Sequence, residues 1–308
     1  MTDETENNME DLKLILTEDT AKKIIGSKDN ALNYLNCLNK DRAVNGLNFK
    51  IVSRGNRRGM YEISNTTSEI WKLIVNTWDY EISKKIIRDI FKTTTKYQNG
   101  KKADNAMQIL IKEWNTLNLG NVAWPFSQGD FDGFVQRINS EQINGFEKDE
   151  KVKDAAVKYR RIKEINTVRN DFIETLIFEK NENIMPTLNH RRGVDFFVNG
   201  VSYDQKVAKS PTKEFKKEFG NNWRNIAISQ PEIVAKYLYT YQDEGRFGAD
   251  PRLLVVYLDE DVTIQQIRDI VANTDLNNYI TVDFTFNHKV HGAKNYKVPC
   301  IVVLLYNK

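Results

Sequence analysis

The dipeptide Asn199-Gly200 constrains the fold of this chain more than any other short segment. Both residues adopt positive φ at low cost, as the two central positions of a type I′ turn require. On either side of the dipeptide, apolar residues alternate with polar ones. The segment 194–207 is therefore predicted to form a β-hairpin with a two-residue loop, in which Asp195 lies opposite Asp204.

One face of this predicted hairpin is charged, because side chains alternate between the two faces of a strand. It carries Asp195, Asp204 and Lys206 together with Phe197 and Ser202. The opposite face is suited to burial and carries Val194, Phe196, Val198, Val201, Tyr203 and Val207. Two carboxylates directly opposite each other destabilise a strand pair. We therefore expect a cation between Asp195 and Asp204.

The residue types favour Mg²⁺, which prefers carboxylate and water oxygens and takes one or two carboxylates from the protein. Such an ion lowers the pKa of a coordinated water and neutralises charge on a phosphate. Lys206 would orient the attacking water or stabilise the developing negative charge. This combination suits hydrolysis of a phosphodiester. The alternative interpretation is a surface hairpin with a solvated polar face.

These residues resemble the motif of the PD-(D/E)xK nuclease superfamily, in which a helix precedes a three-strand meander. In that family the second strand supplies an aspartate and the third supplies the tripeptide (D/E)-x-K. Asp195 matches the first position, and Asp204-Gln205-Lys206 match the tripeptide. Val194 stands where the name-giving proline would be, a departure that many members share. The resemblance covers about half the chain, and the bare spacing has low specificity.

The resemblance implies a Mg²⁺-dependent endodeoxyribonuclease. Asp195 and Asp204 would be the metal ligands, with the carbonyl of Gln205 as a third, and Lys206 would be catalytic. The family also places an acid on the preceding helix, for which Glu174 is our candidate. Asp171 and Glu179 are the competing choices on the same helix.

Within that superfamily we expect a type II restriction endonuclease that makes sequence-specific double-strand cuts and acts as a homodimer on double-stranded DNA. The chain's size and the lack of a helicase or ATPase segment in the sequence favour this choice. One alternative is a structure-specific repair, recombination or transposon-end nuclease. Another, from a different class, is a non-catalytic DNA-binding protein with the same fold.

Contacts with DNA would have to come from local basic clusters, because the net charge of the 308 residues is only +3. Solvated surface is the alternative interpretation of each cluster. The candidate residues are Arg54, Arg57, Arg58, Arg191, Arg192 and Lys209. The sequence shows no signal peptide and no long apolar run, and Cys37 and Cys300 match no metal or redox spacing. A cytoplasmic protein that does not enter membranes is expected.

The expected fold class is α/β (α+β), with a restriction-endonuclease-like mixed β-sheet flanked by helices. Residues 1–12 are expected to be a disordered tail, 13–148 a mainly helical region for recognition or dimerisation, and 149–308 the nuclease domain. In the last region the patterns predict a helix, three strands, a helix, a strand, a helix and two strands. Capping boxes are predicted at Ser229-Glu232 and Thr263-Gln266.

Overall fold

The computed structural model describes residues 16–40, 50–52, 62–64, 67–103, 128–189, 194–241, 251–259, 262–288 and 292–307. The expected tail 1–12 and several segments of the expected helical region 13–148, the longest of them 104–127, lie outside these residues. The helices are α1 (Glu18–Ile25), α2 (Lys28–Lys40), α3 (Thr67–Asn76), α4 (Tyr80–Lys92), α5 (Thr95–Lys101), α6 (Gln128–Ser140), α7 (Gly145–Lys180), α8 (Lys213–Phe219), α9 (Trp223–Ser229), α10 (Pro231–Thr240) and α11 (Ile264–Asn273). The strands are β1 (Lys50–Val52), β2 (Glu62–Ser64), β3 (Ile184–Pro186), β4 (Phe196–Val198), β5 (Val201–Ala208), β6 (Arg252–Tyr257), β7 (Ile280–His288) and β8 (Gly292–Leu305).

The chain divides into two compact units, one from residues 1–94 and 177–308 and the other from residues 95–176. The first unit thus combines the first third of the chain with its C-terminal part. This division does not follow the boundary at 148/149 along which we assigned functions. The functional assignment of those regions stays a prediction.

A six-stranded mixed sheet forms the centre of the first unit, in the order β3-β4-β5-β6-β8-β7. β3, β4 and β5 form an antiparallel meander, β6 is parallel to both β5 and β8, and β7 is antiparallel to β8. This architecture confirms the predicted mixed α/β class and the predicted order of strands, but among the described residues three helices, α8 to α10, lie between β5 and β6, where one helix was predicted. β6 is the buried central strand because its run of apolar residues is covered on both faces. Pro186 lies in the edge strand β3, where a residue without an amide hydrogen is tolerated.

Helices α8 to α10 cover one face of this sheet. Their side chains Phe215, Val234 and Tyr239 pack in one apolar cluster with Leu254 of β6 and Phe284 of β7. The ring of Tyr239 stacks on that of Phe284, with centroids 5.0 Å apart and an interplanar angle of 14°. This packing fixes α10 against the sheet and determines which side chains lie beside the start of β6.

The N-terminal helices of the first unit attach to the edge of the same sheet. The amide of Leu188, just beyond β3, donates to the carbonyl of Ile24 in α1 at 2.7 Å. Asn30 of α2 donates from Nδ2 to the carbonyl of Leu188 at 3.0 Å. Arg88 of α4 donates to the carbonyl of Ile184 in β3 at 2.5 Å. Residues distant in the sequence therefore satisfy backbone groups at the sheet edge.

One of the two predicted capping boxes is present. At the start of α11, the hydroxyl of Thr263 accepts from the amide of Gln266 while the Gln266 side chain accepts from the Thr263 amide. The prediction for Ser229 was wrong, because Ser229 is the last residue of α9 and its hydroxyl donates to the carbonyl of Asn225 at 2.8 Å. Gln230 occupies the cap position of α10 instead.

The second unit contains α5, α6 and the first 32 residues of α7, whose total length is 36 residues. Phe131 of α6 stacks on Tyr159 of α7 with ring centroids 5.2 Å apart. Gly100 of α5 lies against α7 so closely that an added Cβ would be 2.6 Å from the carbonyl oxygen of Asp171. The absence of a side chain at Gly100 permits this approach of the two helices.

Candidate active site on the β4–β5 hairpin

The predicted hairpin is present with the predicted turn. Asn199 has φ 51° and Gly200 has φ 89°, the positive values that a type I′ loop requires. The antiparallel ladder extends from the turn to the pair Phe196–Tyr203. Its three residue pairs are those expected from the sequence, so the two strands carry their side chains on the predicted faces.

At Asp195 the ladder departs from the expected register. The amide of Asp195 donates to the carbonyl of Tyr203 at 2.8 Å, whereas in the regular ladder Asp195 and Asp204 would form a non-hydrogen-bonded pair and this amide would point away from β5. The carbonyl of Asp195 accepts from the amide of Thr187 in the other direction, at 3.0 Å. In a regular strand the amide and carbonyl of one residue point to the same neighbour. Asp195 therefore has the hydrogen-bonding signature of a β-bulge, a device that re-aims a side chain.

The side chain of Asp195 takes the place of a backbone acceptor for β5. Its Oδ2 accepts from the amide of Gln205 at 2.7 Å. The amide of Asp204 points the opposite way and donates to the carbonyl of Pro251 at 3.2 Å. Because amide and carbonyl of a strand residue share a direction, we expect the Gln205 carbonyl to point toward Asp195 as well. By this expectation the carboxylate of Asp195 and the carbonyl of Gln205 lie on the same side of β5.

Partial burial and neighbouring charges perturb the pKa of the Asp204 carboxylate. Burial raises its pKa above the usual value, and the charge of Asp195 raises it further. Arg252 and Lys206 act in the opposite direction and favour the ionised form. The hydrogen bond from the Gln205 amide to Oδ2 of Asp195 places that carboxylate beside the segment that contains Asp204 and Lys206. The joint role of these three residues in a site stays a prediction.

Arg252 is a site residue that the sequence analysis missed. Its Nε donates to Oδ2 of Asp204 at 3.0 Å, and only 12% of its side chain is exposed. β5 and β6 are parallel with Asp204 opposite Arg252, so both side chains lie on the same face. The signal was an arginine at the start of an apolar strand. Its partner could not be identified, because the register of two strands 48 residues apart in the sequence is not a local property.

Aromatic residues support the hairpin from its other face. Tyr203 is fully buried and its ring stacks between those of Phe196, at 5.3 Å, and Tyr279, at 6.1 Å. Its hydroxyl donates to the carbonyl of Leu276 at 3.2 Å. This stack holds in place the residue that directly precedes Asp204.

Glu174 lies on α7 in the second unit, 5% exposed, and its carboxylate forms an ion pair with Lys96 of α5. Its role as the helix acid of the site stays a prediction. Asp171 also belongs to the second unit, whereas Glu179 belongs to the first. An ion pair to Lys96 gives Glu174 a structural reason to be buried.

The basic candidates fall largely outside the described residues, which exclude Arg54, Arg57, Arg58, Arg191 and Arg192. Lys209 is described and is half-buried just after β5. It follows Lys206 by three residues, beyond the end of the strand. DNA contacts by these six residues stay predictions.

The oxygen atoms of the Asp195 and Asp204 carboxylates and of the Gln205 carbonyl are a donor set that fits a hard divalent cation. Two carboxylates and a carbonyl are oxygen ligands of the kind that Mg²⁺ prefers. Partial burial raises the pKa of Asp204, and a cation bound there would favour its ionised form. In the part of the chain that the structure describes, no three Asp, Glu, His or Cys side chains form a complete ligand cluster. Asp195, Asp204 and Gln205 would hold such an ion with water completing its coordination.

Comparisons with protein-family models, with curated proteins and with solved structures found no significant match to this chain. Among the helices that the structure describes, none combines the length and apolar character that crossing a membrane requires.

Proposed function

We propose that this protein is a Mg²⁺-dependent endodeoxyribonuclease of the PD-(D/E)xK type, most closely resembling a type II restriction endonuclease. The observation that carries the proposal is the bulge at Asp195, which directs its carboxylate at the amide of Gln205, between Asp204 and Lys206. The charges of Asp195 and Lys206 both act on the partly buried carboxylate of Asp204. The order of a helix, a three-strand meander, helices and a parallel strand also supports it.

Each residue of the site has a distinct role in this proposal. Asp195 and Asp204 hold the cation, and the Gln205 carbonyl adds a third oxygen. Lys206 lies two residues beyond Asp204 on the same face of β5, where its ammonium group can orient the attacking water and stabilise negative charge on the phosphate. When bound, the cation would acidify a water and neutralise charge on the phosphate.

Within the nuclease proposal, we favour sequence-specific cleavage of ordinary duplex DNA over cleavage of damaged or branched DNA. A double-strand cutter with one active site per chain acts on a two-fold symmetric target as a symmetric dimer. The basic clusters around Arg54 and Arg191 would supply phosphate contacts. Discrete fragments from ordinary plasmid DNA distinguish this function from structure-specific cleavage.

A non-catalytic DNA-binding protein is the second candidate, and one observation favours it. Both carboxylates already have protein partners, namely the Gln205 amide for Asp195 and the Arg252 guanidinium for Asp204. In a purely structural site these bonds would suffice to satisfy the two acids. The two candidates differ in whether Asp204 and Lys206 are needed for any chemistry.

The test is an incubation of purified protein with unmethylated plasmid and phage DNA, in Mg²⁺ or in EDTA. Asp204→Asn and Lys206→Met are compared with the control Asp283→Asn, which changes an exposed aspartate of β7 in the same unit. We expect cleavage that requires Mg²⁺, falls by about 100-fold or more in the two site variants and is unchanged in the control.

Sharp and reproducible fragments would support restriction, and the sequences at their ends would give the recognition site. A smear with the same dependence on Mg²⁺ and Asp204 would support a structure-specific nuclease. DNA binding that persists without cleavage of plain, modified or branched DNA would overturn the catalytic proposal and favour the second candidate.

A further inference from the structure

Arg252 has the geometry of a residue that fixes the orientation of a metal ligand. β5 and β6 are parallel neighbours with Asp204 opposite Arg252, so the bond between Nε and Oδ2 spans adjacent strands at 3.0 Å. It engages one oxygen of the carboxylate. The bond holds Oδ2 and does not involve Oδ1, the oxygen that would coordinate a cation.

The guanidinium of Arg252 is itself held in place. Its carbon lies 5.5 Å from the ring centroid of Tyr239, a cation–π contact that favours the flat guanidinium over an ammonium group. Tyr239 is 3% exposed and is fixed by its stacking on Phe284. The orientation of Asp204 is thereby linked to the apolar cluster under α10. A ligand fixed in this way loses less rotational freedom when a cation binds.

We propose that Arg252 is a positioning residue that sets the carboxylate of Asp204 for cation binding. This inference rests on the proposed nuclease function for its catalytic consequence, whereas its effect on cation binding can be measured separately. Groups that hydrogen-bond to metal ligands change metal affinity or activity by about 10–100-fold when they are removed. The competing possibility is that the charge of Arg252 repels the cation, in which case its removal strengthens binding.

Two substitutions separate position from charge. Arg252→Met removes both the hydrogen bond and the charge, whereas Arg252→Lys keeps a charge without the planar group that lies over Tyr239. The control is Arg224→Met, which breaks another Arg–Asp pair of the same unit, with Asp259 at 2.8 Å beyond the opposite end of β6. The control reports what the loss of an Arg–Asp pair does by itself.

The measurement is calorimetric titration of the full chain with Mn²⁺, which favours the same oxygen ligands as Mg²⁺, together with plasmid cleavage over a range of Mg²⁺ concentrations. We expect both Arg252 variants to bind Mn²⁺ about 10-fold more weakly or worse, and to need correspondingly more Mg²⁺. Thermal melting verifies that each variant folds. The Arg224→Met control should bind Mn²⁺ like the wild type.

Unchanged Mn²⁺ affinity in the Arg252 variants would overturn the positioning role, even if the wild type cleaves DNA. Tighter binding in Arg252→Met with wild-type binding in Arg252→Lys would also overturn it and show charge competition. Loss of Mn²⁺ binding in both variants of a protein that cleaves no DNA would support the positioning role and reject the nuclease function. The two proposals can therefore fail independently.

Discussion

Arg88 of α4 joins the N-terminal part of the first unit, residues 1–94, to the C-terminal part that contains the sheet. Substituting it therefore tests whether the two parts stabilise each other. Its Nη1 donates to the carbonyls of Ile184 at 2.5 Å, Asn181 at 3.1 Å and Phe178 at 3.4 Å. Its guanidinium carbon lies 4.2 Å from the centroid of the Phe178 ring. The arginine thus joins an N-terminal helix to the end of α7 and to the edge strand β3. We expect Arg88→Met to destabilise the protein.

The loss in free energy of unfolding depends on which of the carbonyls bound by Arg88 can bind water instead when the arginine is removed. The carbonyl of Asn181 is exposed and can rebind water, whereas Ile184 is fully buried. One buried hydrogen bond to a charged donor contributes about 1.5–3 kcal/mol. The cation–π contact adds about 1 kcal/mol. The free energy of unfolding should therefore fall by about 3 kcal/mol in Arg88→Met, which lowers the melting temperature by about 6–12 °C for a unit of this length.

Thermal and urea unfolding followed by circular dichroism measure this loss. The control is Lys92→Met on the same helix, where an exposed ion pair with Asp89 at 3.5 Å contributes less than about 0.5 kcal/mol. Arg88→Lys keeps the charge but lacks the planar group, so it should lie between the wild type and Arg88→Met. A melting temperature for Arg88→Met within about 2 °C of the control would refute the reasoning.

Three further predictions concern stability. Gly100→Ala should lower the free energy of unfolding by about 1–3 kcal/mol, because the added Cβ would lie 2.6 Å from a backbone oxygen. Gly133→Ala is the control: its Cβ would have its nearest neighbour at 3.8 Å, so the free energy of unfolding should rise by about 0.5–1 kcal/mol. Chemical denaturation measures both. The hydrogen bonds from Arg224 lower the pKa of Asp259, so this pair stabilises the protein above the usual carboxyl pKa and ceases to do so as pH falls through the lowered value. Asp259→Asn should therefore reduce stability at neutral pH and match the wild type in strong acid; a gap that persists there would contradict the assignment. Burial raises the pKa of Asp204, so at a pH above the raised pKa the ionised carboxylate lowers the free energy of unfolding. Asp204→Asn should melt at or above the wild-type temperature in EDTA while losing cleavage, and a clearly lower melting temperature would show that Asp204 is structural.

The local features of the hairpin could be predicted because they depend on neighbouring residues. The positive φ angles of Asn199 and Gly200 follow from residue type, and the turn then sets the first three residue pairs. The bulge at Asp195 could not be predicted in this way. It depends on Thr187, just beyond β3, and on the Gln205 amide, both of which compete for hydrogen bonds with the regular ladder.

The two capping boxes show the same limit within a few residues. Ser229 and Thr263 each precede an acidic or amide residue by three positions, so the sequence pattern is equivalent. Thr263 follows a loop and caps α11, whereas Ser229 still belongs to α9 and its hydroxyl donates backward. What decides between them is where the preceding helix ends, which the motif does not contain.

The sequence by itself determined the hairpin turn, its first three residue pairs and the order of the strands in the C-terminal half. These depend on turn chemistry and on the periodicity of apolar residues, which act over a few positions. Tertiary structure alone decided that Arg252 meets Asp204 across parallel strands, that Glu174 pairs with Lys96, and that residues 1–94 join the unit containing the sheet. Each of these contacts joins residues that are far apart in the chain. Their register is set by the packing of the whole unit, and no local pattern in the sequence encodes it.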